Sequence, residues 1–109
     1  MKPQLKILER DTLRACLDYL EIKRVFYYRN NSGATIIPKA DGGTRFFKFG
    51  VTGSPDIICV IKGQYVGLEC KAPKGKQSES QIDFQQRLEK AGGKYLLVYS
   101  VDDLIKAGI

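Results

Sequence analysis

The sequence contains no histidine, and this absence excludes several kinds of active site. Histidine is the commonest metal ligand and general base, so Ser-His-Asp triads, Cys-His pairs and histidine-based zinc sites are all excluded. No stretch approaches the ~18 consecutive apolar residues of a membrane-spanning helix. The N-terminus also lacks the apolar core of a signal peptide. We therefore expect neither membrane insertion nor secretion.

Cysteine is scarce as well. The three cysteines, Cys16, Cys59 and Cys70, are widely spaced and form no CxxC pair. Their odd number and apolar neighbours predict buried free thiols rather than disulfides. Free thiols are typical of a reducing compartment, so a cytoplasmic location is expected.

The 109 residues are enough for one compact domain, residues 1–109, and too few for two. Eighteen lysines and arginines against twelve acidic residues give a net charge of +6. This excess favours a polyanionic partner, either nucleic acid or an acidic membrane surface. It is concentrated in residues 22–50, where six basic residues accompany one acidic residue and six of the eleven aromatic residues.

The apolar pattern predicts a mixed α/β fold. Residues 4–22 repeat apolar side chains at spacings of three and four, which predicts a helix with Pro3 in its first turn. Further elements are expected as strands at 25–29, 35–37, 45–49, 56–61, 65–71 and 94–100, and as helices at 78–91 and 100–107. In outline this is an αβββαβ order. Its strand-helix-strand crossover implies one parallel pair, and so a mixed sheet flanked by helices.

A two-residue turn at Lys62-Gly63 would determine which side chains of the neighbouring strands face each other. In that register Asp56 lies opposite Glu69, and alternation places Lys71 on the same face as Glu69. A longer turn would shift the register by a residue or two. The register therefore predicts two carboxylates and one ammonium group at one end of a mostly apolar hairpin.

Such a cluster suits metal-assisted chemistry. Adjacent carboxylates repel each other unless a cation lies between them, and Mg²⁺ prefers carboxylate, water and phosphate oxygens. Lys71 could offset the charge of a phosphate transition state, so phosphodiester hydrolysis is one interpretation. A cross-strand salt bridge is the other. Glu9 lies on the apolar stripe of the first helix, where it is either a third carboxylate of the site or a solvated residue at the rim.

The motifs resemble the PD-(D/E)XK nuclease superfamily, and more closely its virus-type replication-repair nuclease (VRR-NUC) branch. The resemblance covers about residues 50–107. It rests on the following segments: Gly53-Ser54-Pro55-Asp56, Glu69-Cys70-Lys71, Ser78-x-x-Gln81, Gly92-Gly93 and Val101-Asp102-Asp103-Leu104. It implies a restriction-endonuclease-like core in a stand-alone nuclease domain of a bacterium or phage.

The resemblance also implies roles for individual residues. Asp56 and Glu69 would bind Mg²⁺, or Mn²⁺ as a substitute, together with Glu9 and the main-chain carbonyl of Cys70. Lys71 would be the catalytic lysine. The resemblance further implies a homodimer that cuts Holliday junctions or other branched DNA in replication, recombination or repair.

Ser78 and Gln81 have the spacing of a helix capping box. Gly53 either lets DNA approach closely or serves a simple turn before the strand. Gln81 also matches a family glutamine that would orient Lys71 or the scissile phosphate. Separately, exposed basic residues next to such a site are candidates for DNA contacts, with solvated lysines as the alternative. These candidates are Arg29, Arg45, Lys48, Lys74 and Lys76. The aromatic residues of 22–50 could stack on unpaired bases, but core or dimer-interface positions are the more ordinary interpretation. A nucleic-acid-binding module that keeps the nuclease fold without cutting is the alternative function.

Overall fold

The computed structural model describes residues 6–109 as a mixed α/β structure, in agreement with the predicted class. The helices are α1 (Glu9–Ile22), α2 (Glu79–Lys90) and α3 (Val101–Lys106); the strands are β1 (Tyr27–Arg29), β2 (Gly33–Pro38), β3 (Thr44–Phe49), β4 (Ile57–Ile61), β5 (Gln64–Cys70) and β6 (Lys94–Val98). Within residues 6–109 no helix combines the length and the apolar character needed to cross a membrane.

The main sheet has four strands in the order β1-β4-β5-β6. Strands β5 and β6 are parallel and the other two pairs are antiparallel, so the predicted mixed sheet with its crossover through α2 is confirmed. Helices α1 and α3 pack through Cys16, Leu20 and Leu104 on the face formed by Leu68 and its neighbours. On the opposite face, Phe84 of α2 packs against Tyr95 with ring centroids 6.0 Å apart.

The αβββαβ outline allows three strands before the second helix, but each of the five segments predicted as strands there is a strand. Five strands precede α2, and two of them, β2 and β3, form a separate hairpin inserted between β1 and β4. The hairpin mixes polar and apolar side chains on both faces: Ile37 pairs with Arg45 on one face, and Ala34 pairs with Lys48 on the other. Neither face is apolar enough to join the core, so the hairpin stays outside the main sheet.

The β4–β5 turn has the predicted length of two residues. Lys62 and Gly63 both have positive φ, 51° and 79°, which is the backbone geometry of a type I′ hairpin turn. Ile61 therefore pairs with Gln64, and Ile57 pairs with Leu68. This register is the predicted one, and it places Asp56 at the end of the hairpin that carries Glu69.

Helix α1 begins later than predicted. Residues 6–8 are not helical, and Leu8 has an extended conformation with ψ 158°. The carboxylate of Asp11 accepts a hydrogen bond from the Leu8 N–H at 2.8 Å, which caps the helix at this point. The predicted start at residue 4 and the role of Pro3 lie outside the described residues.

The other two helices differ in how their N-termini are capped. The predicted capping box of α2 is confirmed, because Ser78 Oγ accepts from the Gln81 N–H at 3.3 Å and Gln81 Oε1 accepts from the Ser78 N–H at 3.0 Å. Ser100 is the N-cap residue of α3, but its side chain makes no capping hydrogen bond. Asp103 instead accepts from the Tyr99 N–H at 2.8 Å.

All three cysteines lie in the core as free thiols, as predicted. Burial raises the pKa of Cys59 to about 11, so this thiol stays protonated. Cys16 of α1 and Cys70 of β5 belong to the same core cluster, and the neighbouring Cys16 thiol together with burial raises the pKa of Cys70. The cysteines therefore act as small core residues that hold the first helix against the sheet.

Candidate active site

Three carboxylates from three elements meet at one end of the β4–β5 hairpin. They belong to Glu9, the first residue of α1; Asp56, the residue before β4; and Glu69 in β5. One carboxylate oxygen from each lies within 4.8 Å of the other two. Lys71 Nζ lies 3.8 Å from Glu69 Oε2, so the predicted ammonium group adjoins the carboxylates. The cluster combines residues that are up to 62 positions apart in the sequence, from Glu9 to Lys71.

The main chain of β5 positions Asp56. Asp56 Oδ2 accepts a hydrogen bond from the Cys70 N–H at 2.8 Å. This bond extends the hairpin by one side-chain contact beyond the last paired residues, Ile57 and Leu68. The side chain of Cys70 is fully buried in the core, so only its main chain faces the carboxylates. A role for its carbonyl as a cation ligand stays a prediction.

Asn30 positions the same segment from the other side, a role that was not predicted. Its main-chain N–H donates to the Asp56 carbonyl oxygen at 2.7 Å. Its side-chain Nδ2 donates to Ser54 Oγ at 2.8 Å and to the Pro55 carbonyl oxygen at 2.9 Å. Asn30 is thus hydrogen-bonded to three consecutive residues, Ser54, Pro55 and Asp56. The only sequence signal was an asparagine directly after a predicted strand, which fits an ordinary turn.

Gly53 explains why the segment before Asp56 begins with glycine. Its φ is +82°, and a Cβ at this position would overlap the carbonyl oxygen of Ser80 at the start of α2. The sequence left two interpretations open, a close approach of DNA or a turn before the strand. The structure shows a third cause, which is close packing of the loop against the α2 backbone.

Glu69 is only 2% exposed, and this burial is the main cause of its raised pKa. Desolvation, followed by the negative charge of Asp56 and a hydrogen bond with it, raises the pKa of Glu69 to about 8; Lys71 opposes this shift. In the absence of a cation Glu69 therefore keeps its proton near neutral pH. If fully ionised, three carboxylates and one ammonium group would carry a net charge of −2, which one divalent cation neutralises.

Gln81 does not join the cluster. Its side-chain oxygen is used by the capping box of α2, and it makes no hydrogen bond to Lys71 or to the three carboxylates. The structure shows Gln81 in the capping box, and its contact with Lys71 or the scissile phosphate stays a prediction.

The candidate DNA-binding residues are all exposed and lie on two separate parts of the surface. Lys74 and Lys76 belong to the loop after Lys71, which is closed by a hydrogen bond from the Tyr99 hydroxyl to the Gly75 carbonyl oxygen at 2.9 Å. The other three lie on β1 and the hairpin: Arg29, Arg45 and Lys48. None of the five forms an ion pair with any residue of 6–109.

No family model, no curated protein and no solved structure matches this chain. The arrangement must therefore be interpreted from its own chemistry. Three oxygen donors around one point suit a hard divalent cation, and an adjacent ammonium group suits an anionic substrate. The residues could hold a divalent cation, and Lys71 could contact an anionic group next to it.

Proposed function

We propose that the protein is a metal-dependent deoxyribonuclease that hydrolyses phosphodiester bonds, with a PD-(D/E)XK core. The observation that carries this proposal is the convergence of Glu9, Asp56 and Glu69 within 4.8 Å, with Lys71 adjoining Glu69. A surface salt bridge would explain one carboxylate and one lysine. It leaves the second and third carboxylates beside Glu69 without a cause, because like charges destabilise one another.

The residues fit Mg²⁺, with Mn²⁺ as a substitute. Every donor is a carboxylate oxygen, which hard cations prefer, and the absence of histidine and of thiolate at the site disfavours zinc. The raised pKa of Glu69 is the second observation. A buried carboxyl group next to two others is unfavourable when ionised, and a divalent cation removes that cost by supplying the opposite charge.

In the proposed mechanism Glu9, Asp56 and Glu69 would hold the cation, which would supply a water of lowered pKa and positive charge opposite the phosphate. The protein supplies the geometry. The Cys70 N–H holds the Asp56 carboxylate in place, and Asn30 fixes the main chain around it. Lys71 Nζ lies 3.8 Å from Glu69 Oε2, where it can hold a non-bridging phosphate oxygen and stabilise the extra negative charge of the transition state.

The charge distribution supports DNA as the substrate. The exposed basic residues Arg29, Arg45, Lys48, Lys74 and Lys76 lack ion-pair partners in the described chain, so they are available to phosphates. The carboxylate cluster would repel the same phosphates until a cation enters. A module that only binds DNA would gain nothing from such a cluster, and this favours the enzyme over the binding module.

A homodimer that cuts branched DNA completes the proposal. A four-way junction is two-fold symmetric and needs two cuts, which a symmetric dimer can provide. The hairpin supplies a candidate interface, because Phe46, Phe47 and Phe49 are 64%, 42% and 40% exposed. Alternation along β3 puts Phe47 and Phe49 on one face of the hairpin and Phe46, beside Ile36, on the other, so each face offers exposed apolar surface to a partner.

The test is a cleavage assay on supercoiled plasmid and on a labelled four-way junction, with Mg²⁺, Mn²⁺ or a chelator. We expect cleavage with either metal, none with chelator, and products that carry a 5′-phosphate. Lys71→Ala and Glu69→Gln should each lower the rate by about 100-fold or more, on the scale of removing one stabilising group. Lys90→Ala, on the far end of α2, is the matched control and should cleave normally.

Two results would count against the proposal in different ways. DNA binding without metal-dependent cleavage would reject the enzyme and favour the binding module. Cleavage that survives both Lys71→Ala and Glu69→Gln would show that the active site lies elsewhere in the chain.

A further inference from the structure

A groove on the surface beside the carboxylates is lined mainly by arginines. Its volume is about 170 Å³, and it lies between α1 and the end of β1. Arg10, Arg14 and Arg29 form its charged walls, and Leu13 and Leu17 form its apolar floor. No acidic residue lines it. The sequence did not single out Arg10 or Arg14, because residues 1–21 carry no net charge.

The arginines of the groove are not neutralised by the protein. Arg10 and Arg14 are one turn apart on α1, and like charges at this spacing destabilise a helix. Arg14 has one partner, Asp18, at 3.7 Å, but both side chains are largely exposed, so the pair contributes little. Arg10 and Arg29 form no ion pair with the described residues. The groove therefore concentrates positive charge that an external anion would offset.

The groove adjoins the carboxylate cluster through α1. Glu9 lies one helical turn before Leu13 of the groove floor, so the two side chains share one side of α1. Arg29 pairs with Ile57, and alternation along the strands turns both side chains towards α1, where Arg29 closes the groove. An anionic chain lying in the groove would thus continue into the site where the three carboxylates meet.

We propose that this arginine groove binds the sugar-phosphate backbone of DNA on one side of the bond to be cut. Guanidinium groups hold phosphate oxygens through two parallel hydrogen bonds, so three arginines can fix consecutive phosphates. The leucine floor suits the apolar faces of the intervening sugars. This inference rests on the proposed function and adds Arg10 and Arg14 to the binding surface.

The test measures DNA affinity without cleavage. Wild-type protein in chelator is titrated onto a fluorescent four-way junction at several salt concentrations, alongside Arg10→Ala/Arg14→Ala. Loss of two phosphate contacts should make the slope of log affinity against log salt shallower by about 1.4–1.8 and weaken binding about 10-fold or more at low salt. Arg10→Lys/Arg14→Lys keeps both charges and should retain the wild-type slope.

Arg87→Ala is the matched control, because Arg87 is an exposed helical arginine with an acidic partner, Asp83, four residues away. It should leave affinity and slope unchanged. If the double variant does not fold, the slope of log affinity against log salt should become shallower by about 0.7–0.9 in each single alanine variant. The groove proposal is wrong if the wild-type protein cleaves DNA but the Arg10/Arg14 and Arg87 variants have the same affinity and the same salt slope. Failure of the wild-type protein to bind or cut DNA would overturn the proposed function instead.

Discussion

The four-stranded sheet and the β2–β3 hairpin use similar residues in opposite ways. Five of the seven residues of β5 are buried, whereas all six residues of β3 are exposed although three of them are phenylalanines. In the sheet, burial fixes each side chain between two layers of helices. In the hairpin, nothing else in the described chain covers the rings. The carboxylates of the candidate site belong to the sheet or to residues next to it. Much of the basic and aromatic surface belongs to the hairpin.

The two regions suit different tasks: the sheet holds side chains in fixed positions, whereas the hairpin presents exposed side chains. Metal-assisted chemistry needs ligand atoms held within tenths of an ångström, and the packed sheet provides that. Contact with an extended partner needs exposed side chains on a projecting element, and the hairpin provides that. The overall dimensions of 53 × 50 × 27 Å reflect this division into a packed body and a projecting arm.

The largest effect should come from the packed region. Leu68 is fully buried at the centre of β5, so Leu68→Ala removes core contacts and leaves a cavity. We expect the free energy of unfolding to fall by about 2–5 kcal/mol. Ile36→Ala in the hairpin, where the side chain is 65% exposed, should cost less than about 1 kcal/mol. Urea unfolding of both variants measures the contrast, and similar losses would contradict it.

The pH dependence of stability should report Glu69. Its pKa is about 8 in the folded chain against 4.5 for the ordinary carboxyl group, so unfolding releases a proton between these values. In chelator, stability should therefore fall as pH rises from about 5 to 8. Glu69→Gln cannot titrate, and at pH 8 it should be more stable than wild type by roughly 1–4 kcal/mol. Parallel stability curves for the two proteins would refute this.

Asn30 connects the two regions, and its removal should affect the site more than the fold. Asn30→Ala loses the hydrogen bonds to Ser54 and Pro55, which should cost about 1–3 kcal/mol of stability. The affinity for Mn²⁺, measured by calorimetry, should fall about 10-fold, as for other residues that orient metal ligands. Asn31→Ala is the neighbouring control. Equal Mn²⁺ affinity in the two variants would reject the positioning role.

The smallest effect on stability should come from Phe46→Ser, because this ring is 64% exposed in the single chain. Its effect on assembly should be much larger. Light scattering should give twice the 12.2 kDa chain mass for wild type and the single mass for the variant. A wild-type monomer, or a variant that still dimerises, would exclude this surface as the interface.

Local patterns made much of the sheet predictable. The apolar alternation around Lys62-Gly63 gave the correct register, because a two-residue turn allows only one. The start of α1 was wrong, because the Asp11 side chain competes for the Leu8 N–H and stops the helix there. Neither effect depends on residues distant in the chain.

Contacts between distant residues explain what the sequence could not show. Asn30 reaches partners 24 and 25 residues away, and Arg10 meets Arg29 only after α1 folds against the sheet. The hairpin was missed as a separate unit because strand patterns do not state which sheet a strand joins. For Glu9 the sequence left two interpretations open, a third carboxylate of the site or a solvated residue at the rim; in the structure Glu9 is exposed, and one of its carboxylate oxygens lies within 4.8 Å of those of Asp56 and Glu69.

The close contact at the base of the hairpin has an engineering consequence. A Cβ at Gly50 would overlap the Asn31 carbonyl oxygen, so the chain leaves and re-enters the body of the protein at nearly one point. A segment whose two ends lie next to each other can be exchanged without displacing the rest of the chain. Residues 32–49 could therefore be replaced by a short turn or by another hairpin, which would produce a family of variants that share the four-stranded sheet and its helices but carry different hairpins.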